Sequence, residues 1–420
     1  MLTSPDVAYW TDNDLQEIIK SCDIKSTNLE MVLSGNSSFG STFCGGYWMT
    51  TTPDRLNELE KFEFNHYGMA NNHTMDYSYD GLRLTIAELD RRGLAHSGSG
   101  IDLSQATSAS FVEACNENVA FITCTASCDD AARAGDASIS IPGRPGVNML
   151  RHSEFLEVDA ESLKIIDKIA KETCINARFL KAVRMGIHNL PSEIHRLGRL
   201  QFTKGDKIRK YTKCNQIDLN RILNEIRRAK VITPYVIVGL HSHDIKGDTD
   251  DTPDDYFEEF AHACIDAGAS AIIGTGTHQL KGIEIYKKSP IFYSLGNFLF
   301  VSEHMDFAPF DYYERYGASI NTSLDEIWLL RSKNNTVGLE FDFYNYRSIV
   351  PVIEFQKGAI SSLKLIPIEL GFSEPDRIKG FPYIAKDSEA KEIFDRLEIL
   401  SKHYKTKIVR DNYCAEVVVN

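Results

Sequence analysis

The chain predicts a layered α/β fold, on three observations. Short apolar runs of strand length alternate with amphipathic helical segments along most of the 420 residues. Several of those runs end in an amide, a carboxylate or an imidazole, the pattern of a sheet with its chemistry at the strand ends. A hydrophobic content of 43% with 25% charged residues is ordinary for a globular core.

In order, Asp14 to Cys22 is read as a helix with Leu15, Ile18 and Ile19 on one face, and Ile24 to Leu29 as a strand closing on Asn28-Leu29-Glu30. A Gly/Ser/Thr-rich loop from Ser34 to Gly46 follows, then a helical stretch from Pro53 to Leu59 and a strand from Phe64 to Met69. That strand delivers Ala70-Asn71-Asn72-His73 to its end, and a helix from Gly81 to about Gly93 carries Leu82, Ile86 and Leu89. Val119 to Cys124 is a strand, Ala131 to Ser140 a small-residue loop, and Pro142 to Gly146 a rigid turn cluster.

Ser162 to Lys171 is helical, whereas Arg178 to Lys213 is basic and irregular, with no sharp structure assigned. Leu219, Ile222, Leu223 and Ile226 recur at helical spacing. Tyr235 to Leu240 is a buried strand ending in His241-Ser242-His243-Asp244, and Asp254 to Ala267 a helix stopped by Gly268. Ala271 to Gly274 leads to His278, and Ile283 to Tyr286 and Ile291 to Ser294 are two further strands. Antiparallel strands are expected from Trp328 to about Leu370, with a late helix from Glu389 to Ser401. With neither a repeat nor a low-complexity linker, residues 1–420 are expected to form one domain, 328–420 being a β-rich and helical portion packed on it.

The formal charge of −13 argues against a nucleic-acid or anionic-membrane surface. Nine cysteines, an odd number without paired zinc-finger spacing, fit reduced thiols better than a disulfide framework. The start has neither a basic nor an apolar leader segment and no run is long enough to span a membrane, so a cytoplasmic protein is expected, unless translation starts further upstream. Oligomeric state is not readable from the sequence.

Glu30, Asn72 with His73, His241 with His243, and His278 each follow an apolar run. If the strands are neighbours, these groups converge on one edge, and carboxylate, amide and imidazole together suit Mn, Zn or Fe. An Asn oxygen is a hard neutral donor, and a neighbouring His can move a proton near neutral pH. The bland readings are a turn for Asn71-Asn72, a cap or ion pair for Glu30, and a loop position for one of His241 and His243.

Those residues resemble the CapA-type proteins of capsule and poly-γ-glutamate synthesis, which are similar to calcineurin-like metallophosphoesterases. The resemblance runs from Asn28-Leu29-Glu30 through Ala70-Asn71-Asn72-His73 with Asp76, His96-Ser97-Gly98-Ser99-Gly100, His241, Ile265 to Ala269 and His278. It ends on the most specific stretch, Gly282 to Tyr286 and Tyr293 to Phe298. It implies a four-layer α/β/β/α sandwich with Glu30, Asn72, His241 and His278 as metal ligands and His73 as proton donor to a leaving group. Arg144, Lys281, Asn71 and His243 are candidates for contacts to an anionic or glutamyl-type substrate. The reaction implied is metal-assisted hydrolysis of a phosphoester or a γ-glutamyl amide. Two departures stand out: an opening strand ending in Gly-Asp is missing, Asp6 being the nearest acid, and Thr275 stands where a second late histidine is common. The alternative they leave open is a non-catalytic accessory or polymer-binding protein with a degenerate metal site.

Overall fold

The structure, a computed structural model, describes residues 12–301, 305, 307–374, 379–411 and 414–419. The expected absence of an opening strand, and Asp6 with it, falls outside the described residues.

Two sheets position the chemistry. The first is a three-stranded parallel sheet of Ser26–Asn28, His66–Gly68 and Ala95–Ser97 in that order. The second has six strands, in the order Ile283–Tyr286, Ser289–Phe292, Ala271–Gly276, Tyr235–Ser242, Glu117–Thr125, Ser110–Ala114. Its four inner strands are parallel and its two outer ones antiparallel. The two sheets meet where the His66 ring stacks on Phe121 at 4.0 Å and Thr123 Oγ1 donates to the Ser97 carbonyl at 2.7 Å.

The sequence explains the flanking helices. Asn215 caps the helix Gln216–Ile232 by accepting from the backbone N–H of Ile217 and Asp218, and Leu219, Ile222, Leu223 and Ile226 are buried on its inner side. The helix Asp255–Ala267 starts at the Asp254 cap and ends at Gly268, whose φ of 115° is the left-handed region that glycine tolerates. Both pack on the apolar faces of Val236, Val238, Leu240 and Ile272, in a core separate from that of Leu15, Leu29, Tyr67, Leu82 and Leu89. Fully burying each such Leu or Ile contributes about 1.5–3 kcal/mol.

Two expectations needed correction. The basic stretch from Arg178 to Lys213 is ordered as a helix, Ala177–Arg184, and three strands, His195–Leu197, Leu200–Lys204 and Arg209–Cys214. With His152–Val158 these strands form a four-stranded sheet backed by the helix Ala160–Glu172. Trp328 lies in a helix, Leu324–Arg331, opened by a capping box between Ser323 and Glu326, and the antiparallel sheet begins only at Arg347. The late helix is present as Asp387–Ser401. No helix among the described residues is long and apolar enough to cross a membrane.

Candidate metal centre

The carboxyl ends of the parallel strands carry the site. Past Asn28, the backbone N–H of Leu29 still bonds the Gly68 carbonyl, so the sheet edge fixes the chain up to Glu30. Asn28 Nδ2 donates to Glu30 Oε2 at 3.0 Å, which leaves Oε1 buried with no hydrogen-bond donor among the described residues. That oxygen lies 3.7 Å from His241 Nε2.

The next strand ends in the turn Asn71-Asn72-His73, and its three side chains do different jobs. Asn71, expected near the substrate, braces the turn. Its amide donates to Leu29 O (2.8 Å) and Asn28 Oδ1 (3.2 Å), while its oxygen accepts from His73 N and Thr74 Oγ1. Asn72 donates to the Gly45 carbonyl at 2.8 Å, which turns its Oδ1 toward His241 Nε2 at 2.8 Å. A Cβ at Gly45 would come within 2.5 Å of the Asn72 amide nitrogen, so only glycine lets the loop approach this closely.

His73 is buried, and its Nδ1 bonds Asp76 Oδ2 at 2.6 Å. Asp76 also accepts from the backbone N–H of Gly45 and Met49. Burial disfavours the His73 imidazolium, but the Asp76 carboxylate outweighs it and holds the group above its ordinary value.

His241 closes the strand Tyr235–Ser242, with Nδ1 on Thr275 Oγ1 at 3.0 Å and Nε2 3.1 Å from His243 Nε2. Burial and the neighbouring imidazoles push His241 well down, and the same causes push His243 to about 3. Both rings are therefore neutral at physiological pH, the form that binds metal. His278 is buried in the left-handed region (φ 61°), and its Nδ1 is held by Asn297 Oδ1 at 2.9 Å. Asn297 is itself anchored on the Asn345 carbonyl. A non-glycine residue in that region is strained, and here the strain carries an imidazole into the cluster.

Glu30, His243 and His278 each offer a ligand atom, and these atoms lie within 4.8 Å of one another. His241 Nε2 and Asn72 Oδ1 lie beside them, 2.8 Å apart. An orphaned carboxylate oxygen among neutral imidazoles is a donor set that fits a borderline divalent ion. So Glu30, Asn72, His241 and His278 are brought together, and His243, expected at the substrate, stands among them. Lys281 is buried, donates to the Asp244 carbonyl at 3.1 Å, and is pushed down to about 8 by burial. Arg144 is exposed and its Nε bonds the Arg133 carbonyl. The ring-holding roles of Asn297 and Thr275 escaped the sequence reading, where both positions enter only through the resemblance.

The sequence has relatives among known proteins. A family model described as bacterial capsule synthesis protein PGA_cap matches residues 5–302. An uncharacterized protein of Sinorhizobium fredii is 31% identical over 406 residues, 94% of this chain and 86% of the relative. A probable polyglutamine synthesis accessory protein of Mycobacterium tuberculosis is 23% identical over 66% of this chain and 55% of its own. The capsule biosynthesis protein CapA of Bacillus anthracis is 47% identical over 51 residues, 12% of each chain. The chain belongs to the bacterial capsule synthesis protein (PGA_cap) family.

Proposed function

We propose that this protein is a metal-dependent hydrolase of polyglutamate capsule metabolism, cleaving a phosphoester or a γ-glutamyl amide in a four-layer α/β/β/α sandwich. The observation that carries the reading is Glu30 Oε1, buried without a donor and facing neutral imidazoles. Glu30, Asn72, His241, His243 and His278 would hold Mn, Zn or Fe, and such an ion supplies Lewis acidity and a more acidic water.

The chain's own residues supply orientation and a proton. Thr275 and Asn297 occupy Nδ1 of His241 and His278, which leaves Nε2 of each ring as the atom offered to the site. Asp76 accepts from Nδ1–H of His73 and favours the imidazolium, whose Nε2–H is the proton offered to a leaving group. Lys281, behind the loop of His243, and Arg144 are the proposed contacts to anionic groups of the substrate.

The test is elemental analysis of purified protein with assays on model phosphoesters and γ-glutamyl amides. Bound Mn, Zn or Fe that falls on Asn72→Ala or His241→Ala substitution supports the reading. Metal at buffer level, with neither activity, overturns it. The accessory role in the mycobacterial relative's name and the Thr275 departure favour a second reading, an accessory protein that binds polymer without turnover. Calorimetry with short polyglutamate, with and without metal, separates the two.

A further inference from the structure

The basic stretch with no part in the metal centre folds into a small module, His152–Cys214, whose own core is only Val158, Leu163 and Phe202 with a few half-buried neighbours. Its helix Ala160–Glu172 turns Leu163 and Ala170 inward, while Ile165 and Ile169, one turn apart, are 60% and 43% exposed. The connection to the next helix exposes Ile175. The helix Ala177–Arg184 has cations at Arg178, Lys181 and Arg184 on one side, Phe179 and Val183 on the other, and no buried residue. Beyond it, Met185 and Ile187 are each 64% exposed. Residues 160–187 hold six Lys and Arg against three Asp and Glu, in a chain whose net charge is −13.

We propose that residues 160–187 dock this protein peripherally on an anionic lipid surface. Exposed isoleucines and a methionine interleaved with lysines and arginines on two short helices are the composition of an interfacial segment. Apolar side chains enter the headgroup boundary and cations meet the lipid charge. A nucleic acid would satisfy the cations but leave the isoleucines and Met185 in water. The acidic remainder of the chain is repelled by the same surface, so the module alone faces it. The whole-chain charge, read from the sequence as arguing against a membrane surface, conceals this segregation.

The attachment of the module ties docking to the metal centre. Lys210 Nζ binds Asp254 Oδ2 (2.8 Å) and the Ile245 carbonyl (3.1 Å), and the His152 ring stacks on Tyr256 at 4.1 Å. These contacts seat the module on the loop that follows His243, so a docked protein holds its strand-end site in a set orientation to the lipid.

The experiment is co-sedimentation of the full chain with vesicles of phosphatidylcholine alone or mixed with phosphatidylglycerol. Binding to the mixed vesicles only, weakened by salt, is expected. Each of Arg178→Gln, Lys181→Gln and Arg184→Gln should weaken it about fivefold, and Ile165→Ser with Ile169→Ser should weaken it further at any salt. All five positions are exposed, so unchanged circular dichroism and bound metal separate lost docking from a failed fold or a failed metal site. Equal binding to neutral vesicles, no effect of the Gln variants, or tighter binding of a short DNA duplex overturns the proposal. So does a dimer in solution that the Ile variants dissociate.

Discussion

Asp76 is the residue whose removal tests the site's construction most directly. Its carboxylate is fully buried and accepts from Gly45 N at 2.9 Å, Met49 N at 2.8 Å and His73 Nδ1 at 2.6 Å. Asp76→Ala leaves three donors unmade, two of them buried and Gly45 N–H partly so, at about 1–3 kcal/mol for each buried one. Relief from burying a carboxylate returns part of that sum, and removing one member of a buried pair typically costs about 3–5 kcal/mol. We expect a loss of that size in urea unfolding, seen as a lower midpoint at unchanged slope. Asp76→Asn keeps the volume but has one acceptor oxygen for donors approaching on two sides. Whichever way the amide is placed, its NH2 meets an N–H, so a smaller loss of about 1–3 kcal/mol is expected. If the NH2 faces His73, the imidazole must accept at Nδ1 and carry its proton on Nε2, a tautomer switch visible in nitrogen-15 chemical shifts. A loss under about 1 kcal/mol for Asp76→Ala, or an unprotonated Nδ1 in the unaltered protein, refutes the reasoning.

Three further outcomes are expected. Asn297→Ala frees Nδ1 of His278 and should lower metal affinity about 10–100-fold with the fold intact, read by competition with a chelator. Gly98→Ala at φ 96° would put a Cβ 2.2 Å from Thr123 Oγ1 and 2.6 Å from Ala70 Cβ, forcing the two sheets apart. A cost of about 2–4 kcal/mol should appear in thermal or urea unfolding, and an unchanged midpoint counts against the sheet contact described above. Asp218 is buried and accepts from Arg151 and Arg221, and although burial opposes ionisation, these partners hold its carboxyl below the usual range. A depressed folded-state pKa contributes stability that is present above the unfolded value of about 3.9 and lost as pH falls through the folded one. The stability gap between the unaltered protein and Asp218→Asn should therefore shrink in urea titrations taken from about pH 7 to about pH 3. A gap that does not change with pH rules this out.

How far the sequence could be read depended on whether a signal was local. The helices Gln216–Ile232 and Asp255–Ala267 were legible because their apolar spacing and Asn215, Asp254 and Gly268 all act within a few residues. The ligand candidates were legible for a related reason: parallel strands present their carboxyl ends to one crevice, so polar residues at those ends are visible before pairing is known. The partners holding the rings were not, since Asn297 meets His278 across 19 residues and Thr275 meets His241 across 34. The basic module was illegible because its strands are short and mix charge with single apolar positions, Phe202 being one of the few side chains buried there. The helix Leu324–Arg331 was missed for another reason. Its run Ile327 to Leu330 has no clear period, yet the Ser323-x-x-Glu326 capping box was there to be read.

The turn Asn71-Asn72-His73 shows why residue type alone could not assign these roles. Two asparagines side by side are chemically the same, but their amides reach different partners, Asn28 and Leu29 for Asn71 and Gly45 for Asn72. Asn71 has all four of its hydrogen-bonding positions committed to Asn28, Leu29, His73 and Thr74, which locks the two parallel strands to the turn. Asn72 spends one donor on Gly45 and keeps its oxygen for the cluster. The bland reading of a turn fits Asn71, and the proposed role of ligand falls to Asn72. Rigidity from Asn71 is what gives Asn72 its fixed direction. A ligand on a loose turn would spend affinity on being ordered, whereas Asn72, in the role proposed for it, would be ordered by its neighbour beforehand.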